Sequence, residues 1–261
     1  MASLRDIGLP LCAPEVDWRW KLNTIARDNG LATENGKLIE FVAQSELPAH
    51  TNYEVFIHAT GKVPTRENLH DFLNAIIWLN YPRIKARLNA VHATDVNLAQ
   101  AYAATATAAP MRSRLRDALT LFDENAVLVA CSEPMLLDFL RMHAWSALFL
   151  DHRAIFNMHC EVFVFGHALV EKLASPYKAI TAHAWLVPVD TDFFAMSTTK
   201  KKTYLDVQVA SQLDYSLRTP SYTPLPVLGI PNWWDGQDAF FYADEHVFRP
   251  LRTSSKTDIA T

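Results

Sequence analysis

Glycine is scarce in this sequence, with seven among 261 residues. None sits in a GxGxxG turn, a GxxxxGKS/T loop or a GxSxG elbow, and no HExxH pair occurs. The best-marked dinucleotide, nucleoside-triphosphate, serine-hydrolase and zinc-protease signatures are therefore missing. Cysteine is also rare: Cys12, Cys131 and Cys160 are odd in number, widely spaced and form no CxxC. That excludes a disulfide framework and suits a reducing cytosol, so the expected location is cytoplasmic. No block of one charge sign occurs, and the net charge is -4. Bulk electrostatic binding to nucleic acid is not expected, and Lys200–Lys202 is too short a run to change this. Long apolar runs are lacking too. The opening IGLPLCA is broken by Pro10 and falls short of the ~7–15 apolar residues of an export signal. No segment approaches the ~18 apolar residues of a membrane span. No internal repeat is found.

Apolar material is plentiful nonetheless. Half the residues are hydrophobic, including 14 Phe, 8 Tyr and 7 Trp, enough for a sizeable core. The expected fold is α+β: a single mixed domain over residues 1–252, helix-rich, with a small sheet or hairpin and an irregular Pro-rich C-terminal strap. Helices are expected at about 66–80, 82–91, 133–150 and 166–174, and residues 253–261 read as a flexible tail. Residues 1–47 form a mixed leader that Trp18 and Trp20 can anchor, with a short element near Leu38–Val42.

The stretch from Gly61 to His92 concentrates the information. Thr65, followed by Arg66 and Glu67, reads as a helix start with an acidic first turn. Leu69, Phe72, Leu73, Ile76 and Ile77 form one apolar stripe. The other face carries Glu67, His70, Asp71, Asn74 and Trp78, residues that hydrogen-bond and stack and suit a second contact surface. Pro82 ends this helix and opens the next, which turns Ile84 and Leu88 inward and leaves Lys85 and Arg87 elsewhere.

Upstream, Tyr53–Ala59 is either a strand or a helical turn. Downstream, residues 93–111 are rich in Ala and Thr and allow a helix around Leu98–Ala104. Thr120–Phe122 and Val127–Ala130 read as a β-hairpin around a turn at Asp123, Glu124, Asn125 and Ala126. Val162–Phe165 fits a strand or a buried helix. In GHALVEKL, His167 and Glu171 are spaced i, i+4. They can share a divalent metal or simply hydrogen-bond on a helix surface. Ala179–Val189 reads as a strand and Thr203–Leu213 as a helix. From Pro220 the chain is proline-broken yet apolar, which marks a packed strap rather than a disordered tail.

Four blocks carry a resemblance: VPTRENLHDFLNAIIWLNYPRIKARLN, RDALTLFDENAVLVA, FGHALVEKL, and PLPVLGIPNWW with VFRP. Together, from Tyr53 to Arg249, they resemble the bacterial family catalogued as domain of unknown function 3025. The resemblance implies a soluble bacterial protein, and glycine in the turn where Ala126 stands here. It carries over no catalytic residue or cofactor.

Two functional readings are open. In the first, an enzyme for a small anionic substrate, a metal-dependent hydrolase among the options, joins the His70 face to the His167 pair. His70, Asp71 and His167 are the catalytic candidates. Arg66, Asn74, Trp78 and Arg116 are the substrate-binding candidates. His70, Asp71, His167 and Glu171 are the ligands for a divalent metal. In the second, a non-catalytic ligand-binding or assembly module, the polar cluster is structural and Trp78, Trp233 and Trp234 form a contact surface.

Overall fold

The computed structural model describes residues 17–103 and 113–251. Residues 1–16 of the leader, with Cys12, and residues 252–261 lie outside the described residues. Helix α1 (Trp18–Asp28) is capped by Asp17, whose carboxylate accepts from the Arg19 and Trp20 backbone N–H groups. Trp18 meets Phe72 edge-on at 5.4 Å, but Trp20 is 63% exposed. Only the first of the two tryptophans anchors this segment.

Strand β1 (Glu40–Ala43) runs parallel to β2 (Lys62–Thr65), and helix α2 (Tyr53–Thr60) makes the crossover that a parallel pair requires. The ambiguous Tyr53–Ala59 is thus helical. Asn52 caps its start, and Gly61 ends it at φ 78, a left-handed backbone natural for glycine. Helix α3 (Leu69–Asn80) starts later than expected because Thr65 is held in β2. Asn68 is its cap, accepting from the Asp71 N–H at 2.8 Å. Helix α4 (Pro82–Ala103) outruns the expected end near 91. Its second half has no Gly or Pro and is alanine-rich, so nothing breaks it.

The expected hairpin at Asp123 is not formed. Thr120–Asn125 instead completes helix α5 (Arg114–Asn125), which runs directly into strand β3 (Ala126–Cys131). Leu115, Ala118, Leu119 and Phe122 make a buried stripe at i, i+3, i+4, i+7, and this outweighs the turn-like sequence DEN. Ala126 begins the strand, so no glycine turn is needed there.

The expected helix over 133–150 is divided. Helix α6 (Pro134–Arg141) ends before His143, which adopts φ 55. A π turn (Ala147–Asp151) and helix α7 (Arg153–His159) follow. The detour lets the Trp145 indole donate to the Arg249 carbonyl at 2.9 Å. Strand β4 (Cys160–Val164), helix α8 (His167–Leu173), strand β5 (Thr181–Pro188), helix α9 (Thr198–Gln212), strand β6 (Thr223–Pro226) and helix α10 (Ala239–Tyr242) complete the chain.

The main sheet has the order β4-β3-β5-β6, with β3 antiparallel to β4 and parallel to β5. All six β3 residues are buried, and they alternate between two cores. Val127, Val129 and Cys131 face one containing Phe72, Ile76, Leu137 and Phe149. Ala126, Leu128 and Ala130 face another built from Ile84, Leu88, Leu119, Phe122 and Val209. Helices therefore cover both faces of one sheet in an α+β domain.

The C-terminal strap belongs to the first core: Val227, Leu228, Ile230, Phe241, Tyr242 and Phe248 are all buried there. Each such side chain contributes about 1.5–3 kcal/mol by burial. Trp78 is 2% exposed, Trp233 packs on the core and only Trp234 reaches the surface, so these three do not form one contact surface. Among the described residues, no helix is long and apolar enough to cross a membrane.

Candidate functional site

Helices α2, α3, α4 and α5 and the start of α8 surround a cavity of about 400 Å³. Its walls are set by backbone geometry before side chains contribute. The Phe165 and Gly166 N–H groups both donate to the Ala126 carbonyl, at 3.1 and 2.8 Å. Gly166 lies so close to the Glu124–Asn125 backbone that a Cβ would collide with it. The absence of that Cβ lets α8 begin against the end of α5.

His167 is consequently 5% exposed, and its Nδ1 donates to the Asp123 carbonyl at 2.9 Å. Burial pushes its imidazole down to about 4. Lys85 and His70 add to the lowering, and the Asp123 carboxylate opposes it.

His70 projects from α3 onto this ring. The two Nε2 atoms are 3.1 Å apart, and the rings meet nearly perpendicular with centroids 4.6 Å apart. His70 Nδ1 is 3.0 Å from Glu171 Oε2. These partners fix the protons. A carbonyl only accepts, so His167 carries its proton on Nδ1 and offers the Nε2 lone pair. A carboxylate likewise only accepts, so His70 Nδ1 donates to Glu171. Every hydrogen bond is made when His70 carries a proton on each nitrogen and shares the Nε2 proton with His167.

Behind the histidines, Lys85 is 5% exposed. Its Nζ donates to Asp123 Oδ1 at 2.6 Å and Asn74 Oδ1 at 2.8 Å, and it lies 5.4 Å from the Trp78 ring centroid. Burial favours the neutral Asp123 carboxyl, but Lys85, together with His167 and His92, more than offsets this and holds it below the usual carboxylate range. The Asn74 amide donates to the Tyr53 hydroxyl at 3.4 Å. Burial holds the Tyr53 phenol well above its ordinary range, and the Glu54, Asp123 and Asp71 carboxylates reinforce the shift.

Of the residues singled out in the sequence, His70, Asp71, His167, Arg66, Asn74 and Trp78 all line this cavity. Arg116 does not join them in this arrangement; its Nε lies 2.8 Å from Asp95. Arg66 closes on Asp71 with Nε and Nη2 at 3.1 and 2.9 Å and its backbone N–H at 2.7 Å. Those bonds overcome burial and keep the Asp71 carboxyl low. The four metal candidates do not aim at one point. Glu171 meets the far nitrogen of His70, and Asp71 is held by Arg66. Among the described residues, no group of three or more His, Cys, Asp or Glu is arranged to hold a metal ion.

Tyr53, Glu54, Lys85, Asn89 and His92 also line the cavity without being singled out in the sequence, and Asp123, read there first as a turn residue and only second as a site carboxylate, joins them. Lys85, Asn89 and His92 stand at i, i+4, i+7 on α4, which is a polar stripe at helical spacing. That was the available signal.

No curated protein and no solved structure matches the chain. The family model described as "Protein of unknown function (DUF3025)" matches residues 39–252. This chain, with its histidine couple inside the matched region, belongs to that family.

Proposed function

We propose that the cavity is the active site of an enzyme that moves a proton on a small polar molecule. The observation that carries this is the 3.1 Å contact between His70 Nε2 and His167 Nε2 on the cavity wall. The two rings differ in what they can do. His167 stays neutral down to about pH 4 and presents a bare Nε2, the form a general base needs. His70, backed by the Glu171 carboxylate at 3.0 Å, presents an N–H and serves as the acid. A substrate that displaces this mutual hydrogen bond meets a base in His167 and an acid in His70. Asp123, fixed by Lys85, orients His167 through its carbonyl.

The anionic-substrate version fits this geometry less well. Arg66 is occupied by Asp71 and Lys85 by Asp123, so neither cation is uncommitted. A metal-dependent version would need donors that turn toward a common point.

The test is turnover of a panel of small polar esters, amides and ketones by the wild type and by His70→Ala and His167→Ala. Wild-type turnover that falls by about 10²–10⁴-fold in either variant supports the reading. Turnover that survives both substitutions overturns it. Stoichiometric divalent metal in untagged protein, lost in His70→Ala, would replace proton transfer with metal chemistry.

A further inference from the structure

The cavity's charge is unbalanced. Its lining carboxylates are Glu54, Asp71, Asp123 and Glu124, and its lining cations are Arg66 and Lys85, with a doubly protonated His70 matched by Glu171. Arg66 pairs with Asp71 and Lys85 with Asp123. Glu54 and Glu124 then have no cationic partner among the described residues. Among the described residues the Glu54 carboxylate is bound through a neutral group, the Asn89 amide, which donates to its Oε2 at 2.7 Å and to its carbonyl at 2.9 Å.

An independent feature points the same way. Asn89 is 2% exposed and lines the cavity, and its Oδ1 has no hydrogen-bond partner among the described residues. With both amide protons used on Glu54, this oxygen cannot be satisfied by flipping the side chain. A buried carbonyl oxygen without a partner costs about 1–3 kcal/mol. It calls for a hydrogen-bond donor.

We infer that the cavity takes a small cation rich in N–H donors, of the amine, amidine or guanidine class, held by Glu54, Glu124 and Asn89 Oδ1. This deepens the proposed function and rests on reading the cavity as a substrate site. The Tyr53 phenol already registers the field, since the carboxylates around it disfavour its ionisation. An incoming cation would restore the missing charge, and an incoming anion would have to break an existing ion pair. The stripe on α4 sets the length scale. Lys85, which holds Asp123 beneath His167, and Asn89 are one helical turn apart, about 6 Å along the axis, so the Asn89 end of the cavity lies about a turn along α4 from the Lys85 end.

Three probes of nearly equal shape test the charge directly: benzamidinium, benzamide and benzoate. Binding is read at pH 7 and low salt by titration calorimetry, with amide chemical shifts locating the site. Benzamidinium should bind at least about ten-fold more tightly than benzamide, and benzoate weakest. Glu124→Gln, a change on a half-buried side chain, should erase most of that preference, and Glu54→Gln provides a second check. Benzoate binding as well as benzamidinium, no benzamidinium binding, or a preference unchanged in both variants overturns the inference. The two proposals fail separately. Cation preference without turnover of any compound removes proton transfer alone. Histidine-dependent turnover of anions removes the cation site alone.

Discussion

Two aspartates, Asp206 buried and Asp123 half-buried, serve the same helix in opposite ways. Asp206, on α9, accepts from the Arg83 and Ile84 backbone N–H groups at 3.1 and 2.9 Å and caps the start of α4. Burial pushes its carboxyl up to about 6, against the help of those two bonds. Asp123 meets the same helix at the very next residue, through the Lys85 ammonium, and its carboxyl is held low. Burial alone therefore does not mark a site. Asp206 spends its acceptors on backbone that any helix start must satisfy. Asp123 forms an ion pair facing a cavity and fixes a histidine.

The largest effect should separate the two residues in stability. Asp123→Ala leaves Lys85 charged and buried without its partner, which should cost about 3–5 kcal/mol in urea denaturation. Asp123→Leu with Lys85→Met should recover much of that, because two apolar groups replace the pair. A larger loss for Asp206→Ala than for Asp123→Ala would break the comparison.

The next effect is in pH. His167 has a folded value of about 4 against an ordinary 6.5, so the unfolded chain binds more protons in between. Stability from this residue falls as pH drops from 6.5 to 4, by about 3 kcal/mol. Asp206 has a folded value of about 6 against an ordinary 3.8, so the folded chain binds more protons. Its contribution is fully present below 3.8 and is lost as pH rises through 6, again by about 3 kcal/mol. The two slopes oppose each other in the wild type. His167→Gln should remove the first and Asp206→Asn the second, so their stability–pH curves should diverge with opposite sign between pH 4 and 6.

Gly166→Ala should cost about 1–3 kcal/mol, because the new Cβ meets backbone rather than a side chain that can swing away. It should also move His167 off the Asp123 carbonyl, which the His167 imidazole resonances would report. The smallest effect is Asp206→Ala at neutral pH, about 0.5–2 kcal/mol for a lost cap. By then its carboxylate is already ionised against burial.

Local periodicity carried much of the fold. The apolar and polar faces of Leu69–Asn80 were legible because both repeat at helical spacing. The same rule exposed His167 and Glu171 on one short helix. The failures came where polarity imitated a turn. Asp123, Glu124 and Asn125 looked like a loop, and only the stripe ending at Phe122 showed that the helix continued through them. The break at His143 had no glycine or proline to announce it; it is held by Arg249, far away in the chain. Long-range pairing hid most of the site. Nothing near Lys85 names Asp123, and nothing near Asn89 names Glu54.

The most direct test of proton transfer is where the His167 proton resides. A long-range nitrogen–proton correlation spectrum of the imidazole rings resolves the two tautomers. At pH 7 His167 should be neutral, with its proton on Nδ1 and a bare Nε2, and it should stay neutral until pH falls to about 4. His70→Ala should shift its Nε2 resonance, because the only partner of that nitrogen among the described residues is removed. A His167 ring protonated on Nε2, or charged at pH 6, could not serve as the base and would contradict the account.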